Sequence, residues 1–101
     1  MKRIKSFKLG GHNIKVKYMR TVRDPESGQE IFGLCNAMTN EIHVATHIRE
    51  HELSEDVVQH SLAHERSHLM MILMNEGDLN ANEKFIDVLG MFLHQYDTTK
   101  K

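Results

Sequence analysis

The sequence His-Glu-Arg-Ser-His at residues 64–68 constrains this chain more than any other stretch. In a helix, His64 and His68 are one turn apart on the same face, so both imidazoles can reach one cation. Glu65 then projects about 100° away from His64, beside whatever the cation holds. This arrangement is typical of a metal-activated water with a neighbouring general base.

Apolar residues on both sides of the pattern predict a buried helix. These residues are Val57, Val58, Leu62, Ala63 and the run from Leu69 to Met74. Three titratable groups within five residues of such a helix are costly to bury without a partner, and a metal ion is such a partner. The alternative is that His64 and His68 are ordinary histidines of a helix face and that Glu65 is an exposed acid.

The ends of this helix can also be predicted from the residues around it. We expect it to begin after Ser54, because serine is a favoured N-cap residue. We expect it to run to about Asn75 and to end at Gly77, since glycine commonly follows a helix C-terminus. A last helix is predicted to open at residues 80–83 and to extend to about residue 96, where apolar residues recur at helical spacing.

Basic and apolar side chains alternate along residues 3–9 and 13–19, and two glycines separate these runs. The pattern predicts a β-hairpin with one basic face. Residues 1–23 carry eight Lys or Arg and no acidic residue, whereas the rest of the chain carries five basic and fourteen acidic residues. The preferred interpretation of the basic face is a solvated surface. The alternative, a surface for nucleic acid or an acidic partner, stays open.

Two further strands are expected at residues 30–35 and 41–45, where β-branched and other apolar residues lie between turn residues. Residues 46–53 are polar and lack a clear period, so we interpret them as a connection. Because residues 41–45 come shortly before the helix that carries the motif, we expect them to form a sheet edge along a cleft. An extended peptide could pair with such an edge.

Length and composition predict a single α+β domain over residues 1–101. Its sheet part, residues 1–45, is expected to be antiparallel with about four strands, and its helical part, residues 54–96, is expected to contain two helices. No apolar run approaches the length of about eighteen residues that a membrane span needs. Cys35 is the only cysteine, so an internal disulfide is excluded. With no export signal, the composition favours a cytoplasmic protein.

A catalytic zinc site needs a third protein ligand besides the two histidines of the motif. In the metzincin pattern it would be a histidine six residues after His68, and that position is Met74. His60 lies one turn before His64, but three imidazoles in a row along one helix span too far for one tetrahedral ion. The third ligand is therefore expected elsewhere in the chain, and we interpret His60 as a bystander.

Residues 82–90, Asn-Glu-Lys-Phe-Ile-Asp-Val-Leu-Gly, resemble the second signature of the gluzincin metallopeptidases, the thermolysin-like clan. The matching positions are Asn82, Glu83, Asp87 and Gly90. The resemblance covers residues 60–95, and the overall shape is also similar to the small ImmA/IrrE-type peptidases of phages and mobile elements. It implies a minimal zincin-like domain that binds one Zn²⁺ ion.

By this resemblance, Glu83 would be the third zinc ligand beside His64 and His68. Asp87 would accept a hydrogen bond from the ring of His64 and so fix its tautomer. The implied activity is zinc-dependent hydrolysis of peptide bonds, in which Glu65 acts first as general base and then as general acid.

Alternatives for the third ligand stay open at this stage. Glu83 could form a capping box with Asn80, in which its carboxylate satisfies the start of the last helix and binds no metal. Glu76 and Asp78 are the alternative ligands in that case.

The resemblance implies a peptide or protein substrate, with regulatory cleavage of a protein partner as one form of the activity. The group that would stabilise the oxyanion or contact the substrate is open among His43, Tyr18 and Arg66. The alternative function is a metal-binding regulatory or nucleic-acid-associated module without turnover.

Overall fold

The computed structural model describes residues 3–101, and the first half of this range is built from strands. These strands are β1 Ser6–Leu9, β2 His12–Met19, β3 Val22–Arg23, β4 Glu30–Ile31, β5 Gly33–Asn36, β6 Glu41–Ala45, β7 His47–Ile48 and β8 His51–Glu52. Residues 1 and 2, which the predicted domain includes, lie outside the described residues.

The main sheet has four strands in the order β1-β2-β6-β5. The predicted hairpin of β1 and β2 is present, and Gly10 and Gly11 turn it with positive φ angles of 56° and 81°. The first strand begins at Ser6 rather than at residue 3. β2 and β6 run parallel, with Val16 opposite Ile42, whereas β5 and β6 are antiparallel.

The prediction of an antiparallel sheet is therefore wrong for the central pair of strands. Parallel strands need a long crossover between them, and the chain from Met19 to Glu41 supplies one. This segment forms the small β3–β4 ladder and then the edge strand β5. The next strand, β6, then lies between β2 and β5. The strand order is set by this excursion, which the local alternation pattern does not encode.

The predicted sheet edge is also displaced by one strand. β6 lies inside the sheet, and β5 is the edge strand beside it. The single strand expected at residues 30–35 is broken at Phe32, because Glu30–Ile31 pairs with β3 while Gly33–Asn36 pairs with β6. The connection expected at residues 46–53 contains the short hairpin of β7 and β8.

Three helices occur within residues 3–101, namely α1 Glu55–Leu73, α2 Gly77–Asn80 and α3 Glu83–Thr99. Ser54 caps α1 as predicted, since its side chain accepts a hydrogen bond from the backbone N–H of Val57. The predicted role of Gly77 is wrong: α1 ends at Leu73, the left-handed residue after it is Asn75 with φ 58°, and Gly77 begins α2.

The core lies between one face of the main sheet and α1. It consists of Ile14, Val16, Ile42, Val44, Val58, Leu62 and Leu69, each at most 6% exposed. α1 packs against β5 and β6, and α3 packs along α1. The predicted α+β class is confirmed. Within residues 3–101, no helix combines the length and the apolar character that a membrane crossing needs.

Candidate metal centre and cleft

His64 and His68 lie side by side on the exposed side of α1. Their ring centroids are 5.0 Å apart in an edge-to-face arrangement, and the two side chains are 25% and 17% exposed. The other side of this helix is buried, with Leu62 and Leu69 in the core. Burial of that side fixes the rotation of α1 and therefore directs both imidazoles away from the sheet.

Glu83, the first residue of α3, brings its carboxylate to both histidines. Its Oε2 lies 3.9 Å from His64 Nε2, and its Oε1 lies 3.6 Å from His68 Nε2. One ligand atom from each of the three residues lies within 4.8 Å of the others. Two ligands of one tetrahedral zinc ion, each about 2.0–2.1 Å from it, are about 3.4 Å apart, so the three side chains are close to the separation that such an ion requires.

The capping box considered for Glu83 is not formed. α3 is capped by Asn82, whose side chain accepts a hydrogen bond from the backbone N–H of Phe85 at 3.0 Å. Asn80 instead places its Oδ1 2.8 Å from His68 Nδ1. The Glu83 carboxylate therefore has no capping role and faces the histidines.

Both histidines are held through their Nδ1 atoms. Asp87 Oδ1 lies 3.1 Å from His64 Nδ1, which is the contact that the gluzincin resemblance implied. Asn80 does the same for His68, and no sequence pattern singled out that residue as a partner. A proton on each Nδ1 leaves each Nε2 with a free lone pair, and both Nε2 atoms face the Glu83 carboxylate.

Burial and the neighbouring imidazole of His68 lower the pKa of His64, and the Asp87 and Glu83 carboxylates oppose this change only in part. The neutral imidazole, which has a free lone pair, is therefore favoured at neutral pH. This is the protonation state that a metal ligand requires.

Glu65 occupies the space between α1 and the edge of the main sheet. A Cβ atom placed on Gly33 would lie 2.9 Å from Glu65 Cγ, so the absence of a side chain at Gly33 lets β5 approach this residue. Burial raises the pKa of Glu65 to about 6, and the Glu83 carboxylate adds to the rise while His68 opposes it. A carboxyl group with such a pKa can both accept and release a proton near neutral pH.

Cys35, which is also on β5, is half-buried. Burial, with the charge of Glu65 as a second cause, raises the pKa of the thiol to about 12. The thiolate, which is the nucleophilic and metal-binding form, is therefore disfavoured.

Gly90 allows α3 to lie directly against the motif helix. A Cβ atom at this position would be 3.1 Å from His64 Cα and 3.3 Å from His64 N. The close approach places Asp87 and Glu83, one and two turns earlier on α3, beside the two histidines.

A cleft of about 340 Å³ extends from the histidines toward the N-terminus of α1. It is lined by Phe32, Gly33, Val57, His60, Ser61, His64 and Glu65. The lining joins one side of α1 to the end of β5 that faces it. His60, interpreted from the sequence as a bystander, is therefore part of the cleft.

The three residues left open as oxyanion or substrate contacts lie elsewhere. His43 Nε2 is 2.9 Å from Glu41 Oε1, and the Tyr18 hydroxyl donates a hydrogen bond to the carbonyl of Ile4. Arg66 is two residues after His64, so it projects about 200° around the helix, and its guanidinium pairs with Asp97 at 2.8 Å. None of His43, Tyr18 and Arg66 is among the residues that line the cleft.

No protein-family model, curated protein or solved structure matches this chain. The interpretation of the centre therefore depends on the residues themselves: two imidazoles and one carboxylate that converge, and a second carboxylate, Glu65, beside them.

Proposed function

We propose that this protein is a zinc-dependent metallopeptidase with a zincin-like site. The observation that carries the proposal is the convergence of His64, His68 and Glu83 to within 4.8 Å of one another, with Glu65 next to them in an open cleft. The ligands come from two helices that are separated in the chain, and the catalytic carboxylate comes from between the two ligand histidines. Gly33 and Gly90 allow the backbone contacts that bring these parts together.

The donor set supports zinc as the ion. Imidazole nitrogen and carboxylate oxygen are common zinc ligands, and two histidines with one glutamate form a known catalytic set. Three protein side chains make up the group, which is the number in catalytic sites, whereas structural zinc sites usually have four. The contacts of Asp87 and Asn80 with the two Nδ1 atoms are of the kind that orient histidine ligands.

A zinc ion held by His64, His68 and Glu83 would supply a water whose pKa is lowered toward about 7 and would polarise the carbonyl of the bond to be cleaved. Glu65 would perform the proton transfers: its carboxylate would accept a proton from that water and deliver it to the nitrogen of the leaving amine. Asp87 and Asn80 keep the Nδ1 protons on His64 and His68, so that each Nε2 lone pair stays available.

A peptide fits this site best in an extended conformation along β5. β5 is the edge strand of the main sheet, and Gly33 at its start lines the cleft directly above Glu65. Backbone pairing with an edge strand is a general way to hold a peptide, because main-chain hydrogen bonds do not depend on the side chains. The proposed substrate is therefore an unfolded or exposed segment of a protein, and cleavage of a regulatory protein partner is one form of this activity.

The metal content of the purified protein tests the ligand set. We expect one equivalent of zinc in the parent protein and little in Glu83→Ala, because loss of one of three ligands removes most of the affinity. Glu76→Ala is the matched control: it removes an exposed glutamate at the start of α2, and we expect it to retain zinc. A Glu83→Ala protein with a full equivalent of zinc would contradict the proposed centre.

Turnover is tested separately, with Glu65→Gln. This variant should keep zinc and lose hydrolysis of a random peptide library by at least about a hundredfold, the contribution of a general base. Glu52→Gln, at an exposed position of β8, is the control for loss of a carboxylate. Parental turnover in zinc-loaded Glu65→Gln would refute the assigned role of this residue.

A further inference from the structure

His60 is the polar side chain at the end of the cleft that lies away from the metal centre. It is one turn before His64 on α1, and its neighbours there are Phe32, 50% exposed, and Val57, 36% exposed. Ser61 also lines this end, but its hydroxyl already donates a hydrogen bond to the carbonyl of Val57 at 2.9 Å. His60 is therefore the group at this end that remains available to a ligand.

The ring of His60 is supported from behind by α3. The rings of His60 and His94 are stacked, with centroids 5.2 Å apart and an angle of 21° between their planes. His94 is in turn held by Asp56, whose Oδ1 lies 2.9 Å from His94 Nε2. The His94 side chain is 12% exposed, whereas the Asp56 side chain that holds it is 77% exposed.

The three residues His60, His94 and Asp56 form one contact chain between α1 and α3. Burying the His94 imidazole requires a hydrogen-bond partner, and Asp56 from the first turn of α1 serves as that partner. Both contacts tie α3 to the N-terminal part of α1. The stacking on His94 restricts the orientation of the His60 ring, and a side chain that is ordered in advance loses less entropy when it binds a ligand.

We propose that His60 contacts the substrate and selects the side chain that enters this end of the cleft. His94 and Asp56 are positioning residues that act through His60. The inference rests on the proposed peptidase function and deepens it, because it assigns a class of substrate residue to the cleft.

The lining of the cleft defines that class of side chain. Phe32 and Val57 provide apolar walls, and the imidazole of His60 provides one hydrogen-bonding group between them. A substrate side chain with an apolar stem and a hydrogen-bonding end satisfies both features, as in Gln, Glu and Tyr. Leu has the stem alone and would leave the His60 imidazole without a partner.

A peptide library with random residues on both sides of the cleaved bond tests this specificity. We expect the parent to favour Gln, Glu or Tyr over Leu at one position beside the bond by about three- to tenfold, the contribution of one hydrogen bond. In His60→Phe the ring still stacks on His94 but no longer makes the hydrogen bond, so this preference should disappear while zinc content stays at the parental value. His12→Phe, at an exposed position of β2, should keep the preference.

The positioning residues have a readout of their own. Asp56→Asn should reduce the preference in the parent and should have no further effect on it in His60→Phe, because its action passes through His60. A purely structural role would lower activity equally in both backgrounds and would leave the preference unchanged. That result would overturn the positioning role of Asp56 and His94.

The same library keeps this inference separate from the peptidase proposal. Peptides retained by zinc-loaded Glu65→Gln report recognition without turnover, and their enrichment in Gln, Glu or Tyr should also disappear when His60→Phe is added. Unchanged enrichment would overturn the role of His60 and leave the peptidase proposal intact. If the enrichment depends on His60 but the parent protein hydrolyses no peptide, the peptidase proposal alone is contradicted. If zinc-loaded Glu65→Gln retains no peptide at all, the role of His60 is overturned.

Discussion

Gly90→Ala tests whether the close packing of α3 on α1 builds the metal centre. A Cβ at this position would lie 3.1 Å from His64 Cα, 3.3 Å from His64 N and 3.6 Å from Ala63 C. All three neighbours are backbone atoms of α1, which cannot move independently of the helix. The added methyl group is therefore expected to push α3 away from α1 by a few tenths of an ångström.

Two opposing effects determine the magnitude. Overpacking costs about 1–3 kcal/mol, whereas replacing glycine by alanine inside a helix gains about 1 kcal/mol. The net expectation is a loss of about 1 kcal/mol in the free energy of unfolding, which corresponds to a Tm about 4–8 °C lower for a domain of this size. The shift also moves Glu83 and Asp87 away from the histidines, so zinc affinity should fall on the order of tenfold.

The assay compares urea unfolding of zinc-free protein with competition for zinc against a chelator. Gly77→Ala is the matched control, because a Cβ there would meet nothing within 4 Å and the residue is also helical. That variant should be as stable as the parent or slightly more stable, with unchanged zinc affinity. Gly90→Ala with the stability and the zinc affinity of Gly77→Ala would refute the reasoning.

Further predictions concern the groups around the centre. Asp87→Asn should weaken zinc binding about 10- to 100-fold in chelator competition, and the exposed control Asp78→Asn should not. Because the pKa of Glu65 is raised from 4.5 to about 6, its contribution to the stability of the zinc-free protein is present below pH 4.5 and lost as pH rises through 6. In urea unfolding, the free energy of unfolding of Glu65→Gln relative to that of the parent should therefore rise by about 2 kcal/mol between pH 4 and pH 7. A difference between the two proteins that does not change with pH would contradict this. Gly33→Ala would place a Cβ 2.9 Å from Glu65 Cγ, a flexible side-chain atom, so it should lower turnover and retain zinc, and a loss of zinc would show that the ligands had moved instead.

The helical part of the site could be predicted because its geometry is local. The spacing of His64 and His68 places both rings on one face of any helix, and the apolar residues around them determine which face is buried. Glu83 and Asp87 are likewise one turn apart on α3, so their spacing in the sequence already places both side chains on one face of the helix. Only the contact between the two helices had to come from the resemblance.

The sheet could not be predicted to the same depth, because its order depends on residues far apart in the chain. The strand β6 was predicted at its observed residues, yet its neighbours were not, since nothing local shows that β2 pairs with it in parallel. The break at Phe32 has the same origin, because Glu30–Ile31 pairs with β3 whereas Gly33–Asn36 pairs with β6. The cleft therefore has β5 as its edge instead of β6.

The sequence pattern does not reveal Asn80 and His60 as parts of the site, because their contacts join elements that are separate in the chain. Asn80 reaches His68 because the short helix α2 turns the chain there, and α2 has too few residues to show a periodic pattern. His60 has the wrong spacing for a zinc ligand, but it lines the cleft, and its ring stacks on His94 of α3.

Two glycines allow the close contacts that place the side chains of the candidate centre. Gly33 lets β5 close over Glu65 on one side of the motif, and Gly90 lets α3 close on His64 on the other. A methyl group at position 33 would collide with Glu65, and a methyl group at position 90 would collide with the backbone of His64. Because the first contact is with a side chain and the second with a backbone, we expect the two glycines to control different properties: Gly33 the position of the proposed general base, and Gly90 the spacing of the proposed ligands. The centre is therefore a product of two independent close contacts on α1, and only the second of them belongs to the sequence pattern that the gluzincin signature describes.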